Sequence, residues 1–254
     1  MMDFFDCHVE FGRRTVPGPL QADDAAALES LYTEIGIQRA LVTHASLHQQ
    51  HPAVGNARIS EETRDHPRLY PTWAILPPAT EELGTVDAFL DGMRHAGVAA
   101  LWAFPREHRY LLDTATFGPL FEALRAHRIP LFLRGSAFAG EAERWARLGE
   151  LLRETPGLRL VCYADNVWGE DRYFRPLLDR FPDLSFCIST YLLEGGLAAL
   201  CARYGAERFL FGSAFPDWQP GGCQLSLLRA GLPDADTAAI AGGNLDRLLR
   251  EVTL

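Results

Sequence analysis

Short apolar runs alternate with longer amphipathic stretches from one end of the chain to the other. Phe4–Val9, Arg39–Thr43, Leu69–Leu76, Val98–Phe104, Ile129–Leu133, Leu158–Tyr163, Leu184–Ser189 and the run from Arg208 to Phe211 each read as a buried strand. Helical spacing fills the intervals. Asp23 or Asp24 caps a helix carrying Leu28, Leu31 and Ile35, which Gly36 closes. Further helices are predicted near Gly55–Asp65, over Val86–Ala96 ahead of Gly97, over Phe117–His127, and over Glu141–Glu154 with its Trp145, Leu148 and Leu152 stripe. Others close at Pro176–Arg180, over Leu197–Tyr204, and at Asn244–Leu249.

Eight strand–helix units without a linker or a break in composition predict one α/β domain over residues 1–254, a (β/α)8 TIM barrel. An open doubly wound sheet is the alternative. No glycine-rich phosphate turn follows the first strand, and Gly221-Gly222 and Gly242-Gly243 read as ordinary turns.

Composition narrows the function. A net charge of −9 argues against nucleic acid and against an anionic membrane surface as partners. No apolar run approaches a membrane span, and the first strand begins too early for a signal peptide, so a cytoplasmic protein is expected. The five cysteines are widely spaced with no CxxC pair and read as reduced core thiols. There is no lysine, which excludes Schiff-base chemistry. All eight histidines lie at or before His127, so the later half of the chain supplies no imidazole.

Several segments, in order, resemble one family. Asp6-Cys7-His8-Val9-Glu10 is similar to a first-strand Asp-x-His-x-His motif, and Arg68-Leu69-Tyr70-Pro71, preceded by Asn56, to the segment before the third strand. Gly97–Leu101 and Ile129–Leu133 match the fourth and fifth strands, Phe211-Gly212-Ser213-Ala214-Phe215-Pro216 the eighth, and Asn244 with Arg247-Leu248-Leu249 the close. The chain thereby resembles the amidohydrolase-related superfamily of metal-dependent hydrolases and decarboxylases. The resemblance implies a barrel whose metal ligands are His8, Glu10 in place of the second histidine, Arg134 in place of the fifth-strand histidine, Ala164 or Asp165 at the sixth strand, and Ala214 in place of the catalytic aspartate.

A guanidinium and a methyl group cannot serve a divalent cation, so no metal and no other cofactor is expected. A rebuilt set of His8, Glu10 and Asp165, or His44, is the alternative. His44, His48 and His51 stand at i, i+4 and i+7, but Pro52 disfavours helix there and a solvated loop is the expected reading.

The remaining candidates ring the strand ends. His8, Glu10 and Asp165 are the candidate acid/base groups, with Asp6 expected to face inward and orient the His8 ring. Arg134 either clamps a substrate carboxylate or pairs with Glu10. Asp165 either acts as a base or caps a turn. Trp102 and Tyr191 either wall a binding pocket or fill the core, and Ser213 is a further substrate-binding candidate without a nearby histidine to activate it.

The expected function is a metal-independent hydrolase, of lactonase or amidohydrolase type, acting on a small carboxylated molecule. A barrel that binds a ligand or protein without chemistry is one alternative; a metal-dependent hydrolase or decarboxylase with a rebuilt site is another. The resemblance and the apolar Tyr191-Leu192-Leu193 segment also imply a homodimer.

Overall fold

A computed structural model describes residues 2–133, 141–163 and 170–254. The strands are β1 (Phe5–Phe11), β2 (Arg39–His44), β3 (Leu69–Pro71), β4 (Trp73–Ala74), β5 (Leu101–Ala103), β6 (Leu131–Leu133), β7 (Leu160–Tyr163), β8 (Leu184–Cys187) and β9 (Phe209–Leu210), all paired in parallel with their neighbours. β3 and β4 are the two halves of one stave. At Thr72 between them, the N–H and the hydroxyl both donate to Val42 O, after which the stave turns from β2 to β5. The last stave returns to the first: Cys7 N–H donates to Phe211 O at 3.0 Å and Glu10 N–H to Phe215 O at 2.9 Å. Eight staves and their helices make the (β/α)8 barrel, with helices packed against strands too short to be stable alone.

The strands are shorter than the apolar runs that predict them, because flanking residues such as Val98 and Leu158 pack in the core outside the ladders. Helix ends follow local chemistry. Asp24 accepts from Ala27 N–H at the start of α1 (Ala25–Ile35), and Gly36 closes it at φ 75°, a conformation that costs a glycine little. Two buried asparagines tie helices to the barrel strands. Asn56, in the helix Pro52–Glu62, exchanges both amide bonds with Ala74, and Asn244 donates to Ala206 O and Phe209 O. All five cysteines are buried and form no disulfide.

Candidate active site

β1 is the strand from which the site is built. Its register against β2 slips between Asp6 and Val9, with Cys7 and His8 standing opposite the single residue Leu41. Such a bulge re-aims side chains. It separates Asp6 from His8. Asp6 is fully buried and accepts from Tyr32 hydroxyl at 2.5 Å, His8 N–H at 2.9 Å and Ser213 N–H at 2.9 Å. The sequence-based expectation that Asp6 orients the His8 ring is therefore corrected: it holds the backbone of His8, not the imidazole. Burial pushes Asp6 up to about 6 despite these donors, with the bonds from Ser213 and Tyr32 opposing the rise.

The His8 ring is oriented from β8 instead. Its Nδ1 lies 2.9 Å from Ser189 Oγ, and the ring sits 4.2 Å from Tyr163 and 5.8 Å from Trp102, centroid to centroid. Its Nε2 has no hydrogen-bond partner among the described residues. Gly212 makes this packing feasible, since a Cβ there would come within 2.5 Å of Cys187 Sγ and 2.8 Å of His8 Cβ.

Glu10 completes the strand's contribution. Arg14 Nε donates to Glu10 Oε1 at 2.6 Å, and His48 Nε2 lies 2.7 Å from Glu10 Oε2. Arg14 then reaches Asp217 with both terminal nitrogens. Burial opposes the Arg14 charge, but its bonds to Asp217 and Glu10 outweigh that and raise its pKa above the usual arginine value. His8, Glu10, Arg14, Asp217, Trp102 and Tyr163 line one narrow chamber of about 20 Å³, which Phe104 and Phe215 also wall.

Of the other candidates, Trp102 stands in this chamber. Ser213 is fully buried, and its Oγ accepts from Phe215 N–H at 3.1 Å, so it serves the turn after β9. Tyr191 packs against Phe174 and Phe186 and donates to Asp171 at 3.1 Å, away from the chamber lining. Arg134 and Asp165 lie outside the described residues.

The histidine trio is not the solvated loop expected. Ser46–Gln49 forms a short helical turn that places His48 on Glu10, while His44 is buried and only His51, capping the next helix, is substantially exposed. Pro52 stands as the first residue of that new helix, where its missing N–H costs nothing, so it separates two helical segments instead of enforcing a loop. Arg14, His48 and Asp217 escape a reading of the sequence because each reaches Glu10 or its partner only through the folded barrel. A hint existed in Pro216-Asp217, a carboxylate directly after the turn.

Among the described residues, the donors do not make up a metal site of the family type. Ala214, at the place of the aspartate, offers only backbone. It sits at φ 53° and donates its N–H to His8 O. Both Glu10 oxygens are engaged by cationic or imidazole nitrogens. Among the described residues, no three His, Cys, Asp or Glu side chains gather to hold an ion.

The profile of the family described as Amidohydrolase matches residues 5–250 of the chain. The chain belongs to the amidohydrolase family. No curated protein matches it in sequence. Among solved structures it is similar to a dihydroxybenzoic acid decarboxylase from Polaromonas with bound manganese and 2-nitroresorcinol, at TM-score 0.78 and 15% identity over 98% of this chain and 97% of the other. It is also similar to a 5-carboxyvanillate decarboxylase from Sphingomonas paucimobilis, at TM-score 0.72 and 14% identity over 100% of both chains. An uncharacterised TIM-barrel protein from Bordetella bronchiseptica aligns at TM-score 0.75 and 16% identity over 98% of this chain and 99% of that one. These likenesses show the shared fold.

Proposed function

We propose that the chain is a hydrolase of the amidohydrolase family that acts on a small carboxylated molecule, of lactone or ester type, with His8 and not a divalent metal moving the proton. The observation that carries this reading is the His8 ring, which lines the chamber with Nδ1 on Ser189 Oγ and Nε2 without a partner among the described residues. With Nδ1–H donated to Ser189, Nε2 presents its lone pair to the chamber. It takes a proton from water as the water oxygen attacks the substrate carbonyl carbon, and returns that proton to the leaving oxygen. Glu10 stands on the same wall, held in place by Arg14 and His48.

The space among the described residues takes a water, the proposed nucleophile, and the solved relatives named as acting on dihydroxybenzoate or carboxyvanillate point to aromatic acids as the first ligands to try. Arg134 is the proposed clamp for the ligand carboxylate and Asp165 the second acid/base group. The exposed Leu192 and Leu193 support a homodimer through that face. Turnover of carboxylated lactones and aryl esters by the parent protein, and its loss in His8→Gln, tests the chemistry. Retention of full turnover in that variant overturns it.

A further inference from the structure

A second chamber of about 370 Å³ opens beside the first, sharing Arg14 with it and lined by Arg13, His44, Gln50, Arg58 and Glu62. Two donors face it without a hydrogen-bond acceptor among the described residues. His44 is 4% exposed; its Nδ1 accepts from Ser46 N–H at 3.1 Å and lies 2.6 Å from Ser46 Oγ, and in the tautomer that accepts from this backbone N–H the ring proton sits on Nε2. The nearest acid to that nitrogen is Glu62 Oε1 at 3.6 Å, too far for a hydrogen bond. Gly12 keeps the nitrogen uncovered, since a Cβ at that position would lie 2.2 Å from Nε2. Arg58, one helical turn before Glu62, makes no ion pair among the described residues, whereas Arg13 and Arg14 are already paired with Asp23 and with Glu10 and Asp217.

We infer that this chamber is a binding site for a small oxyanion, a phosphate or a carboxylate, held by the Arg58 guanidinium and by His44 Nε2–H. An anion lying between His44 Nε2–H and the exposed Arg58 guanidinium accepts from both at once. Burial, helped by the Arg58 charge, holds His44 down at about 4, so the ring is a neutral donor at pH 7 and its resonance reports directly on what it donates to. Glu62 opposes the anion by like charge. The site stands apart from the chemistry proposed at His8.

The two charges predict opposite signs from two solvent-reached positions. The His44 ring resonance, assigned by its loss in His44→Gln, is followed by NMR while inorganic phosphate and, separately, malonate are added at constant ionic strength to the full chain. An Arg58-dependent shift with either anion supports the site, and the anion giving the larger affinity identifies the source. Arg58→Gln is expected to weaken binding about tenfold, and Glu62→Gln to strengthen it roughly threefold. A His44 resonance that moves with neither anion up to about 50 mM, or one that moves equally in Arg58→Gln, overturns the inference.

Discussion

Arg14 Nε lies 2.6 Å from Glu10 Oε1, with the two side chains 15% and 9% exposed. This pair puts an always-charged guanidinium on the carboxylate that stands where the family carries its second metal-ligating histidine. Its own partner on the far side is Asp217, and His48 takes the other Glu10 oxygen. Removing Arg14 takes the guanidinium from Glu10 in a largely dry place, so Arg14→Ala is expected to lower unfolding free energy by about 3 kcal/mol in urea titrations. A change within about 0.5 kcal/mol would place the pair among surface contacts of no consequence.

Asp6 gives a pH signature. Its pKa is raised in the folded protein to about 6 by burial, above the ordinary value of 3.8. Between those two values the folded state holds the proton and the unfolded state has lost it, so the contribution of Asp6 to stability falls as pH rises through that window. Relative to Asp6→Asn, the parent should lose about 3 kcal/mol between pH 4 and 7. A parent-to-variant difference that is flat across this range would contradict the buried-acid account.

His44 runs the other way. Burial lowers it from 6.5 to about 4, so the unfolded chain binds the proton first and stability falls as pH drops from 6.5 towards 4. The two slopes oppose each other in the parent. His44→Gln should therefore expose a parent slope dominated by Asp6, with stability rising as pH falls from 6 to 4. Denaturant titration of that variant at pH 4, 5 and 6 checks it; a variant less stable at pH 4 than at pH 6, by as much as the parent, would contradict it.

How far the sequence reaches is clear from particular residues. Asp24, Gly36, Thr85 and Gly97 bound their helices through chemistry that lies within a few residues of each end, so those elements are legible locally. His8, Glu10 and Trp102 were legible as chamber residues because strand ends of a barrel converge on its mouth. Ser189 as the orienter of His8 was not, since the bulge after Asp6 is a property of pairing between strands and has no local signal. His48 was missed for a related reason: a four-residue helical turn carries the ring back over β1, and nothing in Ser46–Gln49 itself names Glu10 as the destination.

Asn56 tests how a helix is tied to the barrel strands. It donates to Ala74 O at 3.0 Å and accepts from Ala74 N–H at 2.7 Å while 5% exposed. Asn56→Ala leaves two backbone groups of β4 unpaired and should cost about 2–3 kcal/mol of stability. Thermal unfolding of the variant, with the near-ultraviolet signal of Trp73 as local probe, reads the loss; an unchanged midpoint would show that water replaces the amide without penalty.

The dimer is tested by charge on the exposed apolar face. Leu192 and Leu193 are each 42% exposed. Light scattering at micromolar concentration is expected to give twice the chain mass for the parent and the chain mass for Leu192→Asp with Leu193→Asp. A monomeric parent would remove the proposal.

The account turns on His8 acting without a family-type metal, and one comparison reaches it directly. Turnover of a panel of small carboxylated lactones and aryl esters is measured for the parent, for the parent stripped with a strong chelator and verified by elemental analysis, and for His8→Gln. The stripped parent is predicted to keep its rate, and His8→Gln to lose about 10²- to 10⁴-fold in kcat. Loss of the rate on stripping, with recovery on adding manganese or zinc, would contradict the account, as would a parent that turns over no member of the panel.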